Sequence, residues 1–402
     1  MEKVSKKIYT ASLILAILSI GCTLLIGSLQ RDFFYFSFYA AVIGLFLERR
    51  FVKNYKINNI MYSLIFIGVI KILWTILLYY NLPKFGFGWL QLDAGKKLVV
   101  GGVIIFYLTN FSGGYSKEQY KIALLVGFSI AFVFATIFGL IQMYNGIPRI
   151  ELSTNRATIT AYIYSMLSII TIYLLINRVS ISISYFYFYF SVLVSVLSFV
   201  IITMTGTRAA ILAHPIIIII MLLFKFRTFN MRTVIAASII IPVSILLSYN
   251  KFISPKVEQT RNEIMLYNKG DDFSSLGSRF SLWKVGFDIF KIHPFGNTVE
   301  ARHKQAENVI IFKPENKTAM VYIDSHLHNE LLESASLQGV AGLLAVLFFY
   351  YAIISHAIKN KNTPLLIIGL CMIAYGLSDV LLISSEVLMF FMLCTALFTK
   401  HN

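Results

Sequence analysis

The 402-residue chain is 57% hydrophobic and only 13% charged, with a mean hydropathy of +0.74, which excludes a soluble globular domain and points to a polytopic membrane protein. Its net charge of +16 would suit a nucleic-acid binder, but the basic residues are dispersed among short loops instead of forming one surface, so no nucleic-acid partner is expected. Three cysteines, Cys22, Cys371 and Cys394, all fall in apolar runs and imply packing, with no disulfide framework.

Apolar runs of bilayer-crossing length occur at about 8–27, 33–48, 60–80, 97–112, 121–142, 156–177, 184–204, 208–224, 233–250, 336–356, 364–383 and 386–399. They predict an all-α fold of about twelve transmembrane helices. A β-barrel would alternate apolar and polar residues, whereas Ile216 to Leu223 is apolar throughout. The first run follows a basic amino end and has no small-residue cleavage site, so it is read as a retained anchor. Lys3, Lys6, Lys7, Arg49, Arg50, Lys53, Lys56, Lys117, Lys121, Arg178, Lys225, Arg227, Arg232, Lys359, Lys361 and Lys400 gather on one side, which should be cytoplasmic, with both termini there. The expected organisation is a transmembrane bundle of about nine helices over 1–250, an outward-facing loop over 251–335 and a bundle of about three helices over 336–402. The loop holds eleven Lys/Arg and eleven Asp/Glu, so it is nearly neutral.

Lys71 lies inside the third run and Asp379, in Gly376-Leu377-Ser378-Asp379, inside the eleventh. Intramembrane charges are expensive, so both are candidate functional residues, and the two could neutralise each other. Arg208 follows Thr205-Gly206-Thr207 where the seventh run exits. It reads either as a snorkelling anchor or as a fixed cation for phosphate, with small neighbours that leave room for a ligand. His214-Pro215 in the eighth run reads as a kink.

In the loop, apolar spacing from Ser278 to Ile292 predicts an amphipathic helix that starts at Gly277-Ser278, caps the bundle or lies on the membrane surface, and stops at Pro294. Arg279 opens that helix; taken alone it reads as a solvated loop charge, but unpaired backbone N–H groups at the helix start suit an anion there. His293 reads as structural, and Asp271-Asp272 as a solvated turn. His326 and His328 stand two apart, which does not share a helix face and argues against a metal site. His328 fits a general base better, with Asp324 or Glu330 to orient its ring.

An arginine after Thr-Gly-Thr, a second arginine opening a loop helix that ends His293-Pro294-Phe295-Gly296, and His328-Asn329 followed after nine residues by Gly339-x-x-Gly342 together resemble the O-antigen ligase family. The resemblance covers nearly the whole chain. It implies a GT-C-like, metal-independent, ATP-independent and inverting glycosyltransferase of the bacterial inner membrane, without cofactor, whose active site faces the periplasm. The implied reaction transfers polysaccharide from undecaprenyl pyrophosphate to a sugar hydroxyl of lipid A-core. On matching positions, Arg208 and Arg279 hold the pyrophosphate, His328 takes the proton, and Asn329, Asp379 and Lys71 are substrate-binding candidates. The implied partners are the lipid-linked O-antigen, lipid A-core and membrane lipids. O-antigen polymerases and protein O-oligosaccharyltransferases share this architecture and remain alternatives. A lipid-oligosaccharide flippase, from another class, would line a path through the membrane with charge, whereas here charges gather at one face.

Overall fold

The computed structural model describes residues 2–49, 58–79, 87–111, 113–177, 184–225 and 254–399, and among these it is helical with no strand. The expected ninth run, 233–250, lies outside the described residues. In chain order the helices before it are α1 (Glu2–Cys22), α2 (Gly27–Leu47), α3 (Asn59–Tyr79), α4 (Phe87–Asn110), α5 (Lys117–Tyr144), α6 (Ala157–Ile176), α7 (Ser184–Thr205) and α8 (Arg208–Lys225). After it come α9 (Ser254–Asn268), α10 (Ser275–Ile292), α11 (Val299–Phe312), the single turn α12 (Ala319–Tyr322), α13 (Glu330–Lys359), α14 (Thr363–Gly376) and α15 (Ser385–Thr399).

Among the described residues five helices are long and apolar enough to cross a membrane, namely α1, α3, α5, α6 and α13, and α7, α8, α14 and α15 are shorter apolar helices. Over the described residues the chain is all-helical, as expected of a polytopic membrane protein. α6 and α15 are buried on every side, as a helix apolar all round must be. α2, α3 and α5 instead expose large apolar side chains, such as Phe46, Leu77 and Phe134, a surface suited to lipid. α3 and α4 cross closely because Gly68 and Gly95 meet: a Cβ on Gly68 would lie 2.9 Å from the Gly95 carbonyl oxygen. α4 begins ten residues before the apolar run that announced it, since Asp93, Lys96 and Lys97 dilute its hydropathy without interrupting the helix.

Residues 254–329 have their own apolar core, built from Leu282, Val285 and Ile289 of α10 with Ala306, Ala319, Ile323 and Leu327. α10 therefore caps the bundle and packs on α13. Its start differs from the expectation. Ser274 is the N-cap, its hydroxyl accepting from Gly277 N, so Arg279 lies in the second turn and the exposed N–H groups of the first turn are not beside it. Asp272 is also not a solvated turn residue. It is fully buried and accepts from Ser281 Oγ at 2.9 Å and from Thr318 N at 2.9 Å. α3 supports the cap from below: Trp74 Nε1 donates to the Asn297 carbonyl at 3.1 Å, and Tyr79 OH accepts from Val299 N at 2.9 Å.

The first of the two glycines after His328 has a structural cause. α13 is two helical pieces joined at Gly339, whose φ of 65° and ψ of −154° are not helical and are open essentially to glycine alone. There the His293–Gly296 turn docks on the helix backbone, with Val340 N donating to Pro294 O at 2.8 Å and Asn297 N to Leu337 O at 2.9 Å. Two motifs distant in sequence are thus halves of one contact.

Candidate active site

His328 sits in the turn before α13 with φ at +50°, a left-handed conformation uncommon for a residue with a Cβ. Asn329, next in line, is the N-cap of α13: its Oδ1 accepts from Leu331 N and Leu332 N at 3.1 Å, and its Nδ2 donates to Leu377 O at 3.2 Å. Losing such a cap typically costs about 1 kcal/mol. The asparagine therefore fixes the histidine turn and ties it to the turn after α14. That second turn carries Asp379. The helix ends at Gly376, short of the expected 383, so Asp379 lies beyond the helix and not within it.

The Asp379 carboxylate, 8% exposed, lies 3.4 Å from His328 Nδ1 and 4.0 Å from His326 Nδ1. The 3.4 Å separation is long for a hydrogen bond but of the kind that tightens when substrate binds. Asp379, not Asp324 or Glu330, is the acid that faces His328. Asp324 pairs with His303 at 2.8 Å, and Glu330 accepts from Leu382 N at 2.8 Å. The rings of His326 and His328 meet edge to face with centroids 4.2 Å apart. Burial, then the neighbouring His328, pushes the His326 imidazole below its ordinary value, so it stays neutral to lower pH than a free histidine. Ligand atoms of His326, His328 and Asp379 lie within 4.8 Å of one another, a set able to hold a metal ion. The spacing argument against such a cluster assumed a helix. On a turn with one left-handed residue, side chains two apart do converge.

The rest of the turn is held by a buried ion pair. Arg302 is fully buried and donates through Nη1 to Glu333 Oε2 at 2.8 Å and through Nη2 to Ile323 O at 2.6 Å. The same Glu333 oxygen accepts from Leu327 N, between the two histidines, at 2.9 Å. Neither residue stands out in the sequence, because an arginine and a glutamate 31 positions apart show no local pattern. Removing one partner of such a pair leaves a buried charge uncompensated, at a cost of about 3–5 kcal/mol. Arg302→Ala is expected to lower the melting temperature strongly and Arg302→Lys to restore only part of it, both read by thermal unfolding of the purified protein. A wild-type melting point for Arg302→Ala would contradict this role.

Arg208 opens α8, with Gly206 before it in a left-handed turn at φ +65°. Its guanidinium grips Glu263 of α9 with both ends, Nη1 to Oε2 at 2.8 Å and Nη2 to Oε1 at 2.7 Å. Glu263 also accepts from Gln259 Nε2 at 2.7 Å and from Leu276 N at 3.1 Å, which joins Arg208 to the start of the helix that carries Arg279. The snorkelling reading does not describe this arginine, which is 21% exposed and held in a fixed geometry. Arg149, missed in the sequence, donates through Nε to Thr205 O at 2.8 Å. Lys256 lies within electrostatic reach of both arginines. Three cations thus surround the Thr-Gly-Thr turn.

Hydrogen bonds from Arg208 hold the Glu263 carboxyl below its ordinary value, against burial acting the other way. A depressed acid stabilises the fold fully above the unfolded glutamate pKa of about 4.3, and that contribution disappears as pH falls through the lower folded value. The melting difference between wild type and Glu263→Gln should therefore be widest near neutrality and shrink as pH falls below about 4.3. A pH-independent difference would mean that the ion pair is not its source.

Arg279 makes no hydrogen bond or ion pair among the described residues. The Tyr162 phenol lies within electrostatic reach of Asp379, Arg279 and Arg149 together, and its ring stacks on Tyr375 at 4.7 Å. One tyrosine is accordingly bordered by the α10 arginine, by the acid that faces His328 and by a cation of the Thr-Gly-Thr turn. Lys71 is elsewhere. It is buried, donates to Gln91 Oε1 at 2.6 Å and lies within electrostatic reach of Glu330 and Glu333. It faces those acids and not Asp379. His214 bridges Ser165 and Ser198 at 2.9 and 3.1 Å inside the bundle, and Pro215 lies within α8.

Histidines, an acid and arginines thus gather at the ends of the helices, beside the cap. Residues 193–347, which span from α7 to the kinked helix after His328, match the family described as O-antigen ligase. The chain is 25% identical over 337 residues to the O-antigen ligase of Escherichia coli (strain K12), covering 82% of this chain and 78% of that protein. An uncharacterized protein of Haemophilus influenzae is 28% identical over 177 residues, 42% of this chain and 43% of that one. The resemblance to the O-antigen ligase family read from the motifs is thus borne out by the match over residues 193–347 and by the Escherichia coli relative.

Proposed function

We propose that the chain is a ligase of lipopolysaccharide assembly, a GT-C-like inverting glycosyltransferase with about twelve spans, cytoplasmic termini and a periplasmic site in the bacterial inner membrane. Its donor is a polysaccharide on undecaprenyl pyrophosphate and its acceptor a sugar hydroxyl of lipid A-core. In this reading residues 1–250 and 336–402 form the membrane bundle and 251–335 the periplasmic cap. The observation that carries the proposal is the His328–Asp379 pair at the mouth of α13, whose histidine lies within the segment matched by the family.

Asp379 orients the ring through Nδ1 and stabilises the imidazolium, as carboxylates do beside general bases. Nε2, which makes no hydrogen bond among the described residues, takes the acceptor proton. The freed oxygen attacks the anomeric carbon on the face opposite the lipid pyrophosphate, and the bond to that leaving group breaks. Charge grows on the pyrophosphate as it leaves, so fixed guanidinium groups stabilise the transition state more than the ground state. Arg279, free of protein partners among the described residues, and Arg208, whose fork has N–H groups left beyond the two given to Glu263, supply that charge. The pyrophosphate linkage itself drives transfer, which makes ATP unnecessary. Asn329 acts by capping the turn and Lys71 by neutralising the acids beneath it.

Arg208→Lys tests the anion role. A lysine keeps the charge but loses the planar fork, so transfer by the purified variant should fall about tenfold or more. A wild-type rate would mean that the arginine serves the fold alone. Transfer should also persist in EDTA. Strong inhibition, reversed by a divalent ion, would assign His326, His328 and Asp379 to a metal instead of a proton.

A further inference from the structure

A cavity of about 650 Å³ opens between the amino-terminal halves of α2, α4 and α15. Its lining is polar and charged: Ser28 and Arg31 from α2, Asp93 and Lys97 from α4, Ser385 and Glu386 from α15. Ionisable side chains within a membrane bundle are costly to keep and mark a function by default. Here they are organised. Lys97 is only 4% exposed; it donates to Asp93 and, at 2.7 Å, to Ser385 Oγ. The Glu386 carboxylate accepts from Arg156 at 2.9 Å, and the Glu386 backbone carbonyl accepts from Gln30 at 2.9 Å. Arg31 is 62% exposed, with only a loose contact of 3.8 Å to Asp32. The wall thus presents alternating donors and acceptors, fixed by their neighbours, together with the aromatic ring of Tyr35.

We propose that this cavity is a saccharide subsite. A sugar ring offers hydroxyls that each donate and accept, and an apolar face that suits an aromatic ring, which matches carboxylates, cations and a tyrosine within one pocket. A single phosphate would be repelled by Asp93 and Glu386, and an acyl chain would leave these charges unsolvated. The cavity is also placed to receive the far end of a substrate held at His328. Asp379, beside that histidine, and Ser385, in the cavity wall, are six residues apart on one turn, so their backbones lie no more than about 20 Å from each other. A short oligosaccharide spans that distance. The saccharide belongs to one of the two substrates in the proposed ligase reaction, on which this inference rests, and the test separates them.

Ser28→Trp fills the cavity and Arg31→Ala removes a charged donor, both at exposed positions where folding is spared. Transfer by the purified full chain is measured with donor varied at saturating acceptor, then the reverse. For both variants the KM of one substrate should rise about tenfold, the size of one charge-assisted hydrogen bond, with kcat within about twofold of wild type. A rise for lipid A-core places the acceptor sugar there, and a rise for the lipid-linked polymer places the donor sugar. Unchanged KM for both substrates, or a fall in kcat alone, overturns the subsite. Ligand-observed NMR with the two delipidated oligosaccharides gives a readout independent of transfer. Wild type and His328→Ala should both contact one of them and Ser28→Trp should not. Contact without any transfer by wild type would sink the ligase reading and leave the subsite standing, whereas no contact with wild type would sink the subsite.

Discussion

His328→Ala is expected to lower transfer by about 10²–10⁴-fold, the range over which a positioned general base acts, while the protein inserts and melts as wild type does. The side chain, 25% exposed, faces His326 and Asp379; the turn itself is held by Asn329, Glu333 and Arg302 through backbone groups. Alanine therefore removes chemistry and leaves geometry. Asp379→Asn should lose a comparable factor, because an amide N–H donating to Nδ1 leaves the ring proton on Nε2, where the base must be free, and no longer stabilises the positive form. The rates are read with purified protein and both lipid substrates. Full activity of His328→Ala at normal expression would remove the base from the mechanism.

The largest structural effect is expected from Gly339→Ala. A Cβ there would lie 2.4 Å from Pro294 O and 2.7 Å from Gly296 N, both backbone atoms that cannot rotate away. The backbone conformation alone is costly for alanine. Clash and strain together should destabilise by about 3 kcal/mol or more, seen as a lower melting temperature and faster proteolysis of the 293–297 turn. Gly146→Ala is the matched control. Gly146 has φ at +73° but nothing within 4 Å of its Cβ position, so only the backbone cost of about 1 kcal/mol applies. Equal melting of the two variants would mean that the turn does not dock as described.

The apolar runs were the legible part of the fold. Those at 156–177, 184–204 and 386–399 became Ala157–Ile176, Ser184–Thr205 and Ser385–Thr399, since a buried span must be apolar and helical at once. What hydropathy could not reveal were helices with polar faces. α9 and α11 are rich in polar and charged residues and pack within the cap against α10, and the first ten residues of α4 carry Asp93 and Lys96. The candidate site divides in the same way. Histidine and arginine were legible as residue types beside apolar runs, and so were the glycines, whose reason appeared only when Gly339 met the His293–Gly296 turn. Partners were not legible. Glu263 for Arg208, Asp379 for His328 and Glu333 for Arg302 lie 55, 51 and 31 residues away, and pairing at that range is decided by how the cap sits on the bundle.

The central claim is joining of a lipid-linked glycan to a second lipid by this chain alone. It is tested by incubating the purified protein with undecaprenyl-pyrophosphate-linked polysaccharide and lipid A-core without polysaccharide, and resolving the products on a gel. The account predicts a ladder of lipid A-core carrying polysaccharide, formed by wild type and absent with His328→Ala. Longer lipid-linked polymer with untouched lipid A-core, or no product from wild type with both substrates present, would contradict it.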